Sequence, residues 1–192
     1  ASTKAFSCQL VVLAILAIKF SSDRKSLSGK KIRDSIKSLL SLPSYLTKAL
    51  QKEQVLKEVS SELAKANDIL FLGRGALFPL ALEGALKLKE VSYIHAEGYA
   101  GGELKHGPIA LMDEKIPIIC FCPSNDLFSK TISNIEEVIA RGGKVILITD
   151  QKGSERAPKG IWKTVFLPSV SPIITPALYA IPAQLLAYYT AL

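Results

Sequence analysis

The chain has 192 residues, 48% of them apolar and 21% charged, with a formal net charge of +7. That balance excludes an intrinsically disordered chain, and the length accommodates one domain core with flanking structure but not two independent cores. The positive excess is no nucleic-acid signature, because Arg24, Lys25, Lys30, Lys31, Arg33, Lys37, Lys48 and Lys52 run with only Tyr45 as an interleaved aromatic.

The first element is an apolar stretch from Ala5 to Phe20, which follows directly on Ala1 rather than on a methionine and a leading segment. It is expected to be a buried helix in a piece of a longer chain. A signal peptide and a membrane span are the competing readings. The unbroken apolar core between Gln9 and Lys19 is about half the ~20 residues a bilayer requires, and no small-residue cleavage site follows it. No membrane association is therefore expected. Ser21 to about Ser60, rich in Lys, Ser and Leu and punctuated by Pro43, reads as solvated polar helices joining two bodies.

The texture changes at Asp68. Ile69-Leu70-Phe71-Leu72 is a short, wholly apolar run ending at Gly73, the mark of a parallel strand covered on both faces. Helical spacing follows from Pro79 to Ser92, with Pro79 suited to the first turn. The alternation then recurs: a strand over Ile116 to Phe121, a helix over Asp126 to Arg141 closed by Gly142-Gly143, and a strand over Lys144 to Thr149. Thr164 to Leu167 adds an edge strand, and Ile173 to Leu192 a last helix interrupted by Pro176 and Pro182. This order predicts an α/β fold, a doubly wound parallel sheet flanked by helices and preceded by helical segments, with ligands sought in the loops after the strands.

Cys8, Cys120 and Cys122 are odd in number, and the latter two share one face of a strand, so neither a disulfide framework nor a zinc site is indicated. A reducing, cytoplasmic compartment fits best. Gly73-Arg74-Gly75 fails as a dinucleotide fingerprint, since the third glycine would fall at Phe78. It remains either a plain strand-to-helix turn or a set of backbone amides facing an anion.

The chemistry concentrates from Glu83 to His106. Glu83, Lys87 and Glu90, spaced by four and three residues, lie on one narrow strip of a helix. Leu80, Leu82, Leu86, Leu88 and Val91 flank that strip, which predicts a helix buried on most sides with its charged strip facing a cavity. Spacing alone leaves an ordinary surface Glu–Lys pair equally open. Next come Tyr93-Ile94-His95-Ala96-Glu97-Gly98-Tyr99 and Gly101-Gly102-Glu103-Leu104-Lys105-His106-Gly107-Pro108, where glycines bracket acids, a lysine and a histidine. His106 is a turn residue or a proton-transfer group working near neutral pH, and a carboxylate held beside a lysine can act as a base on a carbon acid next to a carbonyl. Sugar isomerisation needs both functions.

Three segments, Phe71-Leu72-Gly73-Arg74-Gly75, Glu83-Gly84-Ala85-Leu86-Lys87-Leu88-Lys89-Glu90 and Glu103-Leu104-Lys105-His106-Gly107-Pro108, resemble the isomerase half of the glucosamine-6-phosphate synthase family, the isomerizing glutamine–fructose-6-phosphate aminotransferases. The opening Ala1-Ser2-Thr3-Lys4-Ala5-Phe6 is similar as well. That half contains two sugar isomerase (SIS) domains of flavodoxin-like architecture. The resemblance implies that 1–20 is the last helix of a first SIS domain, 21–61 a helical connector and 62–192 the second SIS domain. It also implies roles. Glu90 would move a proton between C1 and C2 of the sugar, Lys87 and Glu83 would tune and orient it, and His106 would assist ring opening in the active site of a neighbouring subunit of a homodimer. Ala1, Ser2 and Thr3 would lie by the substrate, fructose 6-phosphate or its product glucosamine 6-phosphate. No metal or organic cofactor is implied, and no nucleic acid.

The family's phosphate-binding residues, Schiff-base lysine and glutaminase domain have no counterpart here, so the chain alone is expected to be inactive or nearly so. Two rival readings are a phosphosugar-sensing SIS module of a transcriptional regulator and a DNA-binding protein driven by the basic segment.

Overall fold

The computed structural model describes residues 2–192. Five parallel strands form one sheet in the order β2-β1-β3-β4-β5: β1 Asp68–Gly73, β2 His95–Ala100, β3 Pro117–Phe121, β4 Lys144–Asp150 and β5 Lys163–Leu167. The chain leaves β1 toward β2 on one side and returns to place β3 on the other, so the strand order reverses between β1 and β3. This is the doubly wound sheet expected from the alternation of short apolar runs and helical segments.

Side-chain alternation along the strands divides the core in two. Ile69, Phe71, Ile119, Phe121, Ile146 and Ile148 face a layer of three helices, α3 (Glu53–Leu63), α4 (Phe78–Ser92) and α7 (Thr175–Thr190). Leu70, Leu72, Ile118, Cys120, Val145 and Leu147 face α5 (Phe128–Ala140), which contributes Phe128, Ile132, Ile135 and Val138. Both sheet faces are covered, which is why these strands read as continuous apolar runs rather than alternating ones. The short α6 (Gln151–Glu155) is capped by Asp150, whose carboxylate accepts from the Gly153 amide at 2.9 Å.

Four expectations need correction. The segment around His95, to which the alternation of apolar runs assigns no strand, is the edge strand β2, paired residue for residue with β1 from Asp68↔His95 to Gly73↔Ala100. Only Ala96 of β2 is fully buried, so the apolar signal that marks the other strands is missing. Gly98 has a packing reason: a Cβ there would stand 2.7 Å from the Ala81 backbone, so its absence lets α4 lie directly on the edge strand.

The segment from Ser21 to Ser60 is not wholly a polar connector. It holds α2 (Gly29–Leu50), which runs unbroken through Pro43, and most of α3. Leu56, Val59 and Leu63 of α3 are fully buried in the main core, and the buried Ser60 hydroxyl donates to the Leu186 carbonyl at 3.3 Å. Pro176 does not interrupt the last helix but sits in its first turn, and the helix continues past Pro182 to Thr190. Finally, α1 (Thr3–Asp23) is not a buried helix in this chain. Ile18 is its one buried residue, while Val12, Leu13, Ile15, Leu16 and Phe20 are exposed. At 21 residues it is long and apolar enough to cross a bilayer by length and composition alone.

Candidate functional site

The site is built on α4. Its inner face, Leu80, Ala81, Gly84, Ala85 and Leu88, packs against β1, β2 and α7. Gly84 sits over the Phe71 ring, where a Cβ would meet ring carbons at 2.8 Å. The outer face is less covered than the sequence implied, since Leu82 and Leu86 are exposed. The apolar positions flanking the charged strip therefore divide between core and surface, and α4 is buried on one side rather than on most.

Lys87 falls at the junction of α4 and α7. Its side chain is only 7% exposed, and two carboxylates compensate its charge. The ammonium hydrogen-bonds the Glu90 carboxylate and lies 3.8 Å from Glu83 Oε1. Glu83 is 17% and Glu90 42% exposed in their side chains, so over about two turns the strip runs from a mostly buried end to a half-exposed one. The two acids respond oppositely. The hydrogen bond from Lys87 holds the Glu90 carboxyl below the usual carboxylate range. Burial pushes Glu83 up, opposed by the Lys87 charge and reinforced by that of Glu90. Glu90 is thus an ionised, solvent-reachable carboxylate beside a buried cation.

Lys87 also lines a cavity of about 310 Å³ with Thr3, Val91, Gln184, Ala187, Tyr188, Ala191 and Leu192. The first turn of α1 reaches this cavity. Ser2 is the N-cap residue of α1 and is exposed, with its carbonyl accepting from the Phe6 amide at 3.0 Å. Ala1 lies outside the described residues. Gln184 on α7, which no sequence motif singles out, meets the same turn: Nε2 donates to the Thr3 carbonyl at 3.3 Å and to Ser7 Oγ at 3.5 Å. The available signal was an amide alone among the apolar residues of the last helix.

His106 stands apart from this group. It ends a short 3₁₀ turn, Leu104–His106, anchored by the fully buried Leu104. Its ring Nδ1 pairs with Glu103 Oε2 at 2.8 Å, and the side chain is 73% exposed. Within the chain it makes no hydrogen bond to Glu83, Lys87 or Glu90. The loop carrying it is held by the Gly101 amide donating to the Gly73 carbonyl at 2.8 Å, by Asn134 Nδ2 donating to the Gly101 carbonyl, and by a Lys105–Glu137 ion pair at 2.6 Å.

The thiols are poor nucleophiles where they are buried: burial pushes Cys120 well up and Cys122 up to about 12. Among the described residues no three His, Cys, Asp or Glu side chains are grouped as a metal site.

Residues 62–192 match the SIS domain family model. The chain belongs to the SIS domain family. Over 191 residues it is 53% identical to the isomerizing glutamine–fructose-6-phosphate aminotransferase of Bradyrhizobium diazoefficiens, covering 100% of this chain and 31% of that protein. The enzyme of the same name from Zymomonas mobilis is likewise 53% identical over 191 residues, covering 100% of this chain and 32% of its own length. Among solved structures, the C-terminal domain of glucosamine-fructose-6-phosphate aminotransferase from Francisella tularensis superposes with a TM-score of 0.97 at 42% identity, covering 100% of this chain and 54% of that one. The SIS chain thus spans about a third of the length of the curated relatives it matches.

Proposed function

We propose that this chain is the second-SIS-domain part of the isomerase half of a glucosamine-6-phosphate synthase, which makes glucosamine 6-phosphate from fructose 6-phosphate and glutamine-derived ammonia. The observation that carries the reading is that the buried Lys87, which lines a cavity, hydrogen-bonds Glu90 and holds it ionised. A carboxylate that is charged at neutral pH and exposed on one side is suited to take a proton from C1 and return it to C2 of a bound sugar. Lys87 sets the charge and orientation of Glu90. Glu83, partly buried, holds Lys87 from the other side.

The remaining roles follow the family resemblance. Ala1, Ser2 and Thr3 lie at the substrate, with Thr3 already lining the Lys87 cavity. His106, exposed on a pinned turn and unattached to the Lys87 group, serves ring opening in the active site of a second subunit, so the working enzyme is a cytoplasmic homodimer. The segment 1–20 is the last helix of a first SIS domain and 21–61 connects it to the second. The exposed apolar residues of α1 support that division, because they need a cover which this chain does not supply. The phosphate anchor and the Schiff-base lysine are supplied from outside these 192 residues, and the reaction needs neither metal nor organic cofactor.

The decisive experiment is Glu90→Gln in the full-length enzyme. The neutral amide is nearly isosteric but cannot accept a proton, so isomerisation should be abolished while glutamine hydrolysis continues. An unimpaired isomerase overturns the assignment.

A further inference from the structure

Gln184 is the polar exception on α7, a helix whose buried residues are otherwise almost all apolar or small. Its side chain is half-buried and faces the Lys87 cavity, and its amide nitrogen reaches α1 across 181 residues of sequence. There it joins a closed polar group: Thr3 O accepts from both Gln184 Nε2 and Ser7 Oγ, and Ser7 Oγ accepts from Gln184. Phe6 packs beside this group against the main core. Further along α1, Leu10 and Val11 are half-buried against Leu42, Ile174 and Ala177, while most of the other apolar side chains as far as Ile18 are exposed. The N-terminal end of α1 is therefore held by apolar contacts of Phe6, Leu10 and Val11, and Gln184 supplies the side-chain hydrogen bonds that fix its first turn.

We infer that Gln184 is a positioning residue which sets the first turn of α1, with Ser2 and Thr3, against the Lys87–Glu90 pair. The inference rests on the proposed sugar site for its functional meaning. Mechanically it stands on the hydrogen bonds alone. If the α1 end drifts from α7, Thr3 leaves the cavity wall while Glu90 and Lys87, both on α4, keep their mutual geometry. Sugar binding then weakens more than proton transfer does, because the base and its cation remain together.

The test uses two substitutions of similar length. Gln184→Met keeps the volume and removes the donor. Gln184→Glu keeps the length, cannot donate to the Thr3 carbonyl, and brings a carboxylate to the cavity that Lys87 lines. In the 192-residue chain, Gln184→Met should speed hydrogen exchange at the α1 amides from Phe6 to Leu10 on the order of tenfold, leaving β1, β3 and β4 unchanged. In the full-length enzyme the same change should raise KM for fructose 6-phosphate on the order of tenfold with kcat nearly unchanged. Gln184→Glu should raise KM similarly and also lower kcat, by competing with Glu90 for Lys87. Unchanged α1 exchange in Gln184→Met overturns the anchoring. Faster exchange with unchanged KM overturns the positioning role. A Glu90→Gln enzyme that isomerises normally would sink the proposed function alone, and the exchange measurement would still judge Gln184.

Discussion

Two apolar helices of this molecule, α1 and α7, meet opposite fates. Eleven of the sixteen residues of α7 are buried, against one of the twenty-one of α1. The difference is not hydrophobicity but neighbours. α7 lies between α3 and α4 over the sheet, and its Ala180, Ala183 and Ala187 let those helices approach closely. α1 touches α2 and the edge of α7 and turns Val12, Leu13, Leu16 and Phe20 outward. Apolar composition requires a cover without saying where the cover comes from.

The largest expected effect lies on the buried side. Leu186→Ala on α7 should cost ~2–5 kcal/mol, seen as a lower urea midpoint, because it opens a cavity between α3 and the sheet. Leu13→Ala on α1 should stay within ~0.5 kcal/mol in the same chain, since that side chain already meets water. The pair sharpens when moved to the longer protein. If a first SIS domain covers α1 there, Leu13→Glu should lower the melting temperature of that protein while leaving the 192-residue chain unaffected. Equal tolerance in both would break the proposed domain assignment.

The smallest effect lies at the cavity between the two helices. Lys87→Met removes both the hydrogen bond and the charge that lower Glu90, so the Glu90 pKa rises toward its ordinary 4.5 and the acid limb of the isomerase pH profile moves to higher pH. The stability consequence has the matching sign. A depressed Glu90 stabilises the fold above its unfolded value, and that contribution is lost as pH falls through the lower folded pKa. Glu83, raised by burial, favours the folded state at acid pH and loses that contribution as pH rises through its folded value.

Much of this was legible in the residues. The runs at Ile69 to Leu72 and Lys144 to Thr149 announce strands covered on both faces, and the spacing of Glu83, Lys87 and Glu90 places three charges on one strip. What escaped was local in signal and distant in cause. β2 buries one residue fully, so His95 to Ala100 carries no apolar run, and only pairing with β1 makes it a strand. Gln184 is an unremarkable amide until α7 is laid beside the start of α1.

The sequence by itself determined the element order, the parallel doubly wound sheet and the one-sided cluster of charges on α4, because these depend on periodicities of two and 3.6 residues that short segments carry alone. Tertiary structure decided which flank of α4 is dry, that Lys87 is buried between two acids, that α3 belongs to the main core, and that α1 is left bare. Each of those depends on what an element packs against, and a segment does not encode its neighbours.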